Sequence, residues 1–193
     1  MKFTQVPSDA FETLQLNAGI IASGFNPATG AVTGIMGATT GGFTFASNPT
    51  YTDFGEDMDN VPANTKQLKR IQSYDPAISG TFLSLKAATA GALTGAADVS
   101  GNKITPREQL ADSDFADVWV IGDYSNVNAG NDAGFIAVHL MDALNTAGIQ
   151  WQSTKDGKGQ FSFDFHGHYD IEDIETVPFE FYVKAGTAAS TTP

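Results

Sequence analysis

Gln160-Phe161-Ser162-Phe163-Asp164-Phe165-His166-Gly167-His168-Tyr169-Asp170 is the stretch on which the reading of the fold turns. Aromatic rings stand at 161, 163, 165 and 169, and polar side chains at 162, 164, 166, 168 and 170. Successive side chains of an extended chain point to opposite faces. A period of two therefore predicts a strand over 160–170 with its ring-bearing face on a core. Val177, Phe179, Phe181 and Val183 repeat the pattern against Glu180, Tyr182 and Lys184, which predicts a second strand with the same apolar side inward. Upstream, Asp156-Gly157 suits a hairpin because both residues tolerate positive φ, with Ile149 and Trp151 on its other arm. Gly159 admits a bulge or a longer loop there.

Further out, residues 118–121 (VWVI) and 135–138 (FIAV) have no polar face. A lone sandwich covers one face of each sheet, so the second face of such strands needs a helix or another subunit. Residues 132–144 also have a helical reading, since Ile136, Leu140 and Leu144 recur at spacing four and Gly148 stands where a cap would; a strand is preferred at its start. Residues 84–93 (SLKAATAGAL) carry four Ala, two Leu and no Pro, and predict one helix flanking the sheets. Residues 40–46 and 75–83 read as further strands between Gly and Pro punctuation. The expected fold is mainly β: a sandwich or barrel with one flanking α-helix.

Length and composition agree with a single domain over residues 1–193, ending in a polar Ala/Ser/Thr tail at 185–193. Phe occurs 14 times against two Trp and five Tyr, a bias towards bulky, strand-favouring side chains that need no hydrogen-bond partner. The chain has no Cys, which excludes a disulfide framework and a thiolate metal centre. The opening residues MKFTQVPSDAFETLQL hold one Lys and no continuous apolar segment, so no secretory signal is read there. No stretch has the length of a membrane span, and the expectation is a soluble protein made in the cytoplasm. A formal net charge of −12 opposes DNA binding by counterion displacement. It suits either plain solubility or a surface past which DNA slides without sticking.

Residues 51–65 (YTDFGEDMDNVPANT) lack periodicity and are long for a connection in a compact domain. Asp53, Glu56, Asp57 and Asp59 make this loop acidic, and Lys66, Lys69 and Arg70 follow as the densest basic cluster. Opposite charges side by side suit pairing with a neighbouring subunit, and equally suit an exposed loop beside a solvated strand edge. With Phe54 and the two-faced apolar residues Trp119, Ile121 and Phe135, they form the candidate subunit-interface set.

Motifs for chemistry are weak. Asp164-x-His166-x-His168 puts three ligand types on one face of a strand, where alternate positions lie roughly 6–7 Å apart. The same three residues are also the ordinary polar positions of a half-exposed strand, and no metal is expected. The 53–59 carboxylates do not fit an EF-hand: Gly55 comes too early and no Glu closes the loop. Asp112, Asp114 and Asp117 fit one no better. Gly157-Lys158-Gly159 lacks the helix a phosphate cradle requires, and no G-x-S-x-G elbow is present. Nothing selects two of the many carboxylates as a glycosidase pair. No enzyme activity and no cofactor are expected.

The segment KGQFSFDFHGHYDIEDIETVPFEFYV (158–183) resembles the carboxy-terminal part of tail tube proteins from siphoviruses of Gram-positive hosts. The KGxFSFxFxGHY strand, the acidic turn and the TVPFEFY strand carry the resemblance. GATTGGFTF (37–45), ITPREQL (104–110), DFADVWVIGDYS (114–125) and GFIAVHLMDALNTAG (134–148) extend it over nearly the whole chain. The resemblance implies a β-sandwich with a flanking helix, a fold shared with the tube protein of type VI secretion systems. It implies hexameric rings stacked into a virion tail, inner strands lining a lumen, and long loops reaching adjacent rings. Implied partners are copies of itself, the tape-measure protein, the tail terminator and distal tail proteins, with DNA only in passage. Two alternatives come from other classes: a carbohydrate-binding β-sandwich module, and a hydrolase or metalloenzyme using Asp164, His166 and His168.

Overall fold

The computed structural model describes residues 13–124 and 133–186, together with Pro7 and Ala10. The strands are β1 (Gln15–Asn26), β2 (Ala31–Ile35), β3 (Thr39–Ala46), β4 (Pro49–Asp53), β5 (Lys69–Tyr74) and β6 (Ala77–Phe82). After the helix α1 (Ala87–Thr94) come β7 (Ala97–Ser100), β8 (Lys103–Pro106), β9 (Ala116–Tyr124), β10 (Phe135–Asn145), β11 (Gln150–Gln152), β12 (Gln160–His166) and β13 (Phe179–Lys184). The fold is mainly β, as the alternation predicts, with one α-helix among the described residues. It forms a large antiparallel sheet folded into a sandwich, and the sheet does not close into a barrel.

One half of the sheet runs β2-β1-β9-β10-β13, and the other runs β12-β6-β3 with β11 added to β12. β10 belongs to both. Its residues 135–140 pair with β9 and β13, and then Leu144 and Asn145 pair with His166 and Phe165 of β12. The turn between the halves is a bulge between Leu140 and Ala143, where Asp142 takes φ 45°. An extra residue in one strand bends it and raises its twist, which redirects β10 from one sheet into the other.

Side chains from both halves meet between them. Ile21, Val118, Val120, Val138 and Leu140 face Ile78, Phe82, Phe163 and Phe165 in one buried cluster, and Leu93 of α1 joins it. Asn145 is the polar pin of this region. Its amide donates to the carbonyls of Leu93 (2.6 Å) and Gly148 (3.0 Å), and its carbonyl accepts from the Asp164 N–H (2.7 Å). A buried side chain that satisfies all of these groups links helix, turn and strand without an unpaired polar atom.

The structure corrects several expectations. The strand beginning at Gln160 ends at His166 and does not run to Asp170. A Cβ at Gly167 would lie 2.8 Å from both Leu140 and the Pro178 carbonyl, so only glycine fits where the chain leaves the ladder. Residues 135–145 form a strand, which overturns the helical reading; Asp132 lies outside the described residues. The helix starts at Ala87, because the Ser84 hydroxyl accepts the Ala38 N–H and holds its residue in the preceding connection. The Asp156-Gly157 hairpin is present, with Trp151 opposite Phe161, and closes through the longer loop 153–159 that Gly159 admits. Of the tail at 185–193, only Ala185 and Gly186 are among the described residues. Finally, Phe181 and Val183 lie on the core side of β13, opposite Val138 and Ile136, but are not buried there: they are 51% and 54% exposed. β13 is the outermost strand of its half, and the facing half meets Phe181 at its margin, through Phe43 and the Phe45 ring 6.3 Å away.

Candidate assembly surfaces

Among the described residues β4 and β5 pair only with each other, as an arm off the main sheet. Tyr51 and Asp53, expected in the long loop, are in its first strand; the connection proper is 54–68. This connection is ordered by its own chain. Asp53 accepts the N–H groups of Gly55 (2.9 Å) and Asn64 (2.6 Å) through its two carboxylate oxygens, which holds its pKa below the usual carboxylate value. Gly55 is buried, and a Cβ there would fall 2.9 Å from Leu68 and 3.3 Å from Val61. Lys69 donates to the Asn64 side chain (3.1 Å) and lies over the Tyr51 ring. Asp53 and Lys69 therefore serve the arm internally. Glu56, Asp57, Asp59, Lys66 and Arg70 stay exposed, as do Tyr51, Phe54, Met58 and Ile71.

Trp119, Ile121 and Phe135 lie elsewhere, on the outer face of the β1-β9-β10 sheet. Alternation along β9 sends Val118 and Val120 into the sandwich and Trp119 and Ile121 outward. No second subunit is needed to bury them. Phe25 packs edge-on against Trp119 (5.5 Å) and Phe135 (5.0 Å), while Ile20, Val32 and Tyr182 complete a second apolar cluster. His139 stacks flat on Trp119 at 4.0 Å, with its ring nitrogens 3.1 Å from Asp117 and 3.5 Å from Glu180. The expectation that this face lacks cover within the chain is thus corrected: aromatic side chains from β1 and β13 cover it.

Asp164, His166 and His168 do not converge. His166 Nδ1 lies 2.7 Å from Asp75, and its Nε2 is 3.5 Å from Asp164. His168, past the end of the strand, turns to the Asp142 carbonyl at 3.0 Å. Among the described residues no group of three or more His, Asp or Glu is placed to hold a metal ion. Asp112 and Asp114 lie in a short 3-10 turn, where Asp114 pairs with Arg107 of the 104–110 motif and also accepts the Ala111 N–H.

Two surfaces escaped the sequence reading. Loop 167–177 projects Ile171 (90% exposed) and Ile174 (68% exposed) among Asp170, Glu172, Asp173 and Glu175. The β11–β12 hairpin presents Trp151, 72% exposed and stacked on Phe161, beside the exposed Lys155 and Lys158. The available signal was Ile-x-x-Ile set among carboxylates, a spacing that fits no strand with a dry face. No helix among the described residues is long and apolar enough to cross a membrane. A scan against protein-family models finds no match to this chain, and a search of curated proteins finds none either.

Proposed function

We propose that the protein is a non-enzymatic structural subunit that associates with copies of itself into the tube of a long-tailed phage, through which DNA passes. The observation that carries this reading is the arm. A two-stranded sheet that no other strand joins among the described residues, half-exposed in Tyr51, Phe54, Met58 and Ile71, has apolar surface that the described sandwich does not cover. Apolar residues on a projecting element, with charges beside them, mark an interaction surface. Its acidic tip also suits a conduit that must not bind phosphate backbones. The tape-measure protein, tail terminator and distal tail proteins are the further partners, within the virion tail.

Negative-stain electron microscopy and sedimentation over rising protein concentration test this reading. Rings or open-ended tubes are the expected result, and a monomer that persists at millimolar concentration overturns it. The carbohydrate-binding alternative is favoured by one side chain, Trp151. Of the other strongly exposed rings, Tyr51 and Phe54 sit on the arm, which is rooted at the opposite end of β12, and Phe181 sits on β13 in the other half of the sandwich, so none forms a row with it.

A further inference from the structure

β12 connects two ends of the molecule of opposite character. Near its start, at Phe161, the row Trp151–Phe161–Phe82–Thr39 crosses the sheet, and at its last residue the row His166–Ala77–Ala46 crosses it. At about 3.4 Å per residue, the step from Phe161 to His166 separates these rows by ~17 Å. Loop 167–177 and the root of the arm lie together at the second end, joined by the Tyr74 N–H donating to the Tyr169 hydroxyl (2.9 Å). Loop 153–159 lies at the first.

In loop 167–177 the carboxylates of Asp170 and Asp173 are used locally, accepting the Glu172 N–H and the Thr176 hydroxyl. The side chains of Glu172 and Glu175 are exposed and make no ion pair or hydrogen bond among the described residues, and neither isoleucine is covered. At the other end, Lys155 and Lys158 are exposed and make no ion pair or side-chain hydrogen bond among the described residues; Trp151 stands on the same hairpin, and Asp156 is the one acidic residue of loop 153–159. A local basic excess is unusual in a chain of net charge −12. Elsewhere in the sequence, lysines and arginines come within three residues of one another only in the arm, at Lys66, Lys69 and Arg70.

We propose that these two ends bind each other between copies: Ile171 and Ile174 of one subunit seat against Trp151 of the next, and Glu172 and Glu175 meet Lys155 and Lys158. This rests on the self-assembly reading above and assigns it a specific contact. The two surfaces differ and lie on opposite ends, so the contact is heterologous. It repeats without closing on itself, as an open filament or stacked tube requires. Apolar side chains supply the buried area, and the charges set which end meets which.

The test uses end-blocked forms of the full chain, all changed at exposed positions and checked for parental melting. Ile171→Asp with Ile174→Asp should stop elongation, and so should Lys155→Glu with Lys158→Glu, each raising the concentration needed for assembly at least tenfold. Mixed in equal amounts, the two variants retain one good end each and should stop at a pair of subunits or of rings. Adding Glu172→Lys and Glu175→Lys to the lysine-reversed chain should restore elongation. Blue-shifted Trp151 emission should accompany assembly of the parent chain. If the parent assembles and both blocked forms assemble equally well, this contact is wrong while the tube reading stands. If the parent stays monomeric, or Trp151 emission answers to an oligosaccharide and not to protein concentration, both are wrong.

Discussion

Phe163 and Phe181 occupy equivalent places in two alternating sequences, yet Phe163 is 2% exposed and Phe181 51%. Phe163→Ala should therefore cost about 3–5 kcal/mol of unfolding free energy, the usual range for a buried Phe. Phe181→Ala should cost roughly 1 kcal/mol, in proportion to the smaller area it hides. Urea denaturation of the two variants checks the difference, and equal losses would place Phe181 in the core after all. His166 gives the molecule a pH dependence. Burial disfavours its charged ring, but the hydrogen bond and charge of Asp75, followed by Asp164, outweigh burial and raise its pKa above 6.5. The folded state thus holds this proton more tightly than the unfolded state. The added stability is fully present below the unfolded value and is lost as pH rises through the raised folded value. Melting measured on either side of neutrality should show that slope in the parent and a flatter one in Asp75→Asn; an unchanged slope would remove the pair from the account.

At the scale of elements, the arm should matter for association and not for folding. Asp53 pairs directly with Lys69 across β4 and β5, so an Asn-Gly turn can replace 54–68 and close the same hairpin. That variant should melt like the parent by circular dichroism but form no long tubes in the microscope. Normal tubes would make the connection a passive excursion, and loss of folding would make it part of the core. Legibility in the sequence followed how undisturbed each element's period was. β12 was readable because its alternation is clean, and the 40–46 and 75–83 strands because Gly and Pro punctuation bounds them. β10 invited a helix because spacing four is also twice the strand period, so Ile136 and Leu140 share a face in either form. β1 went unread because Asn17 and Gly19, at φ 65° and 75°, interrupt its alternation with a register shift. The interface candidates at Trp119, Ile121 and Phe135 were read as uncovered because their cover, Phe25 and Tyr182, comes from strands distant in sequence. On β13 the faces are as the alternation predicts and only the burial differs, because pattern shows which side chains share a face, not how far the opposing sheet extends.

Over the whole molecule, charge and apolar exposure are arranged by end. The acidic isoleucine loop and the arm root share one end of β12, and the tryptophan and its lysines mark the other. Assembly through such contacts should weaken with added salt to the extent that steering and register depend on charge, since exposed charges are screened beyond about 10 Å at 0.1 M. Light scattering across a salt series would show it, and salt-independent assembly would leave the apolar residues as the whole attraction. The bend in β10 has a consequence of another kind. Because one strand supplies hydrogen bonds to both halves of the sandwich, neither half can open while the other stays closed. The backbone protons of Val138 and Leu140 are then released to solvent only when the entire domain comes apart, and they should be the last to exchange for deuterium.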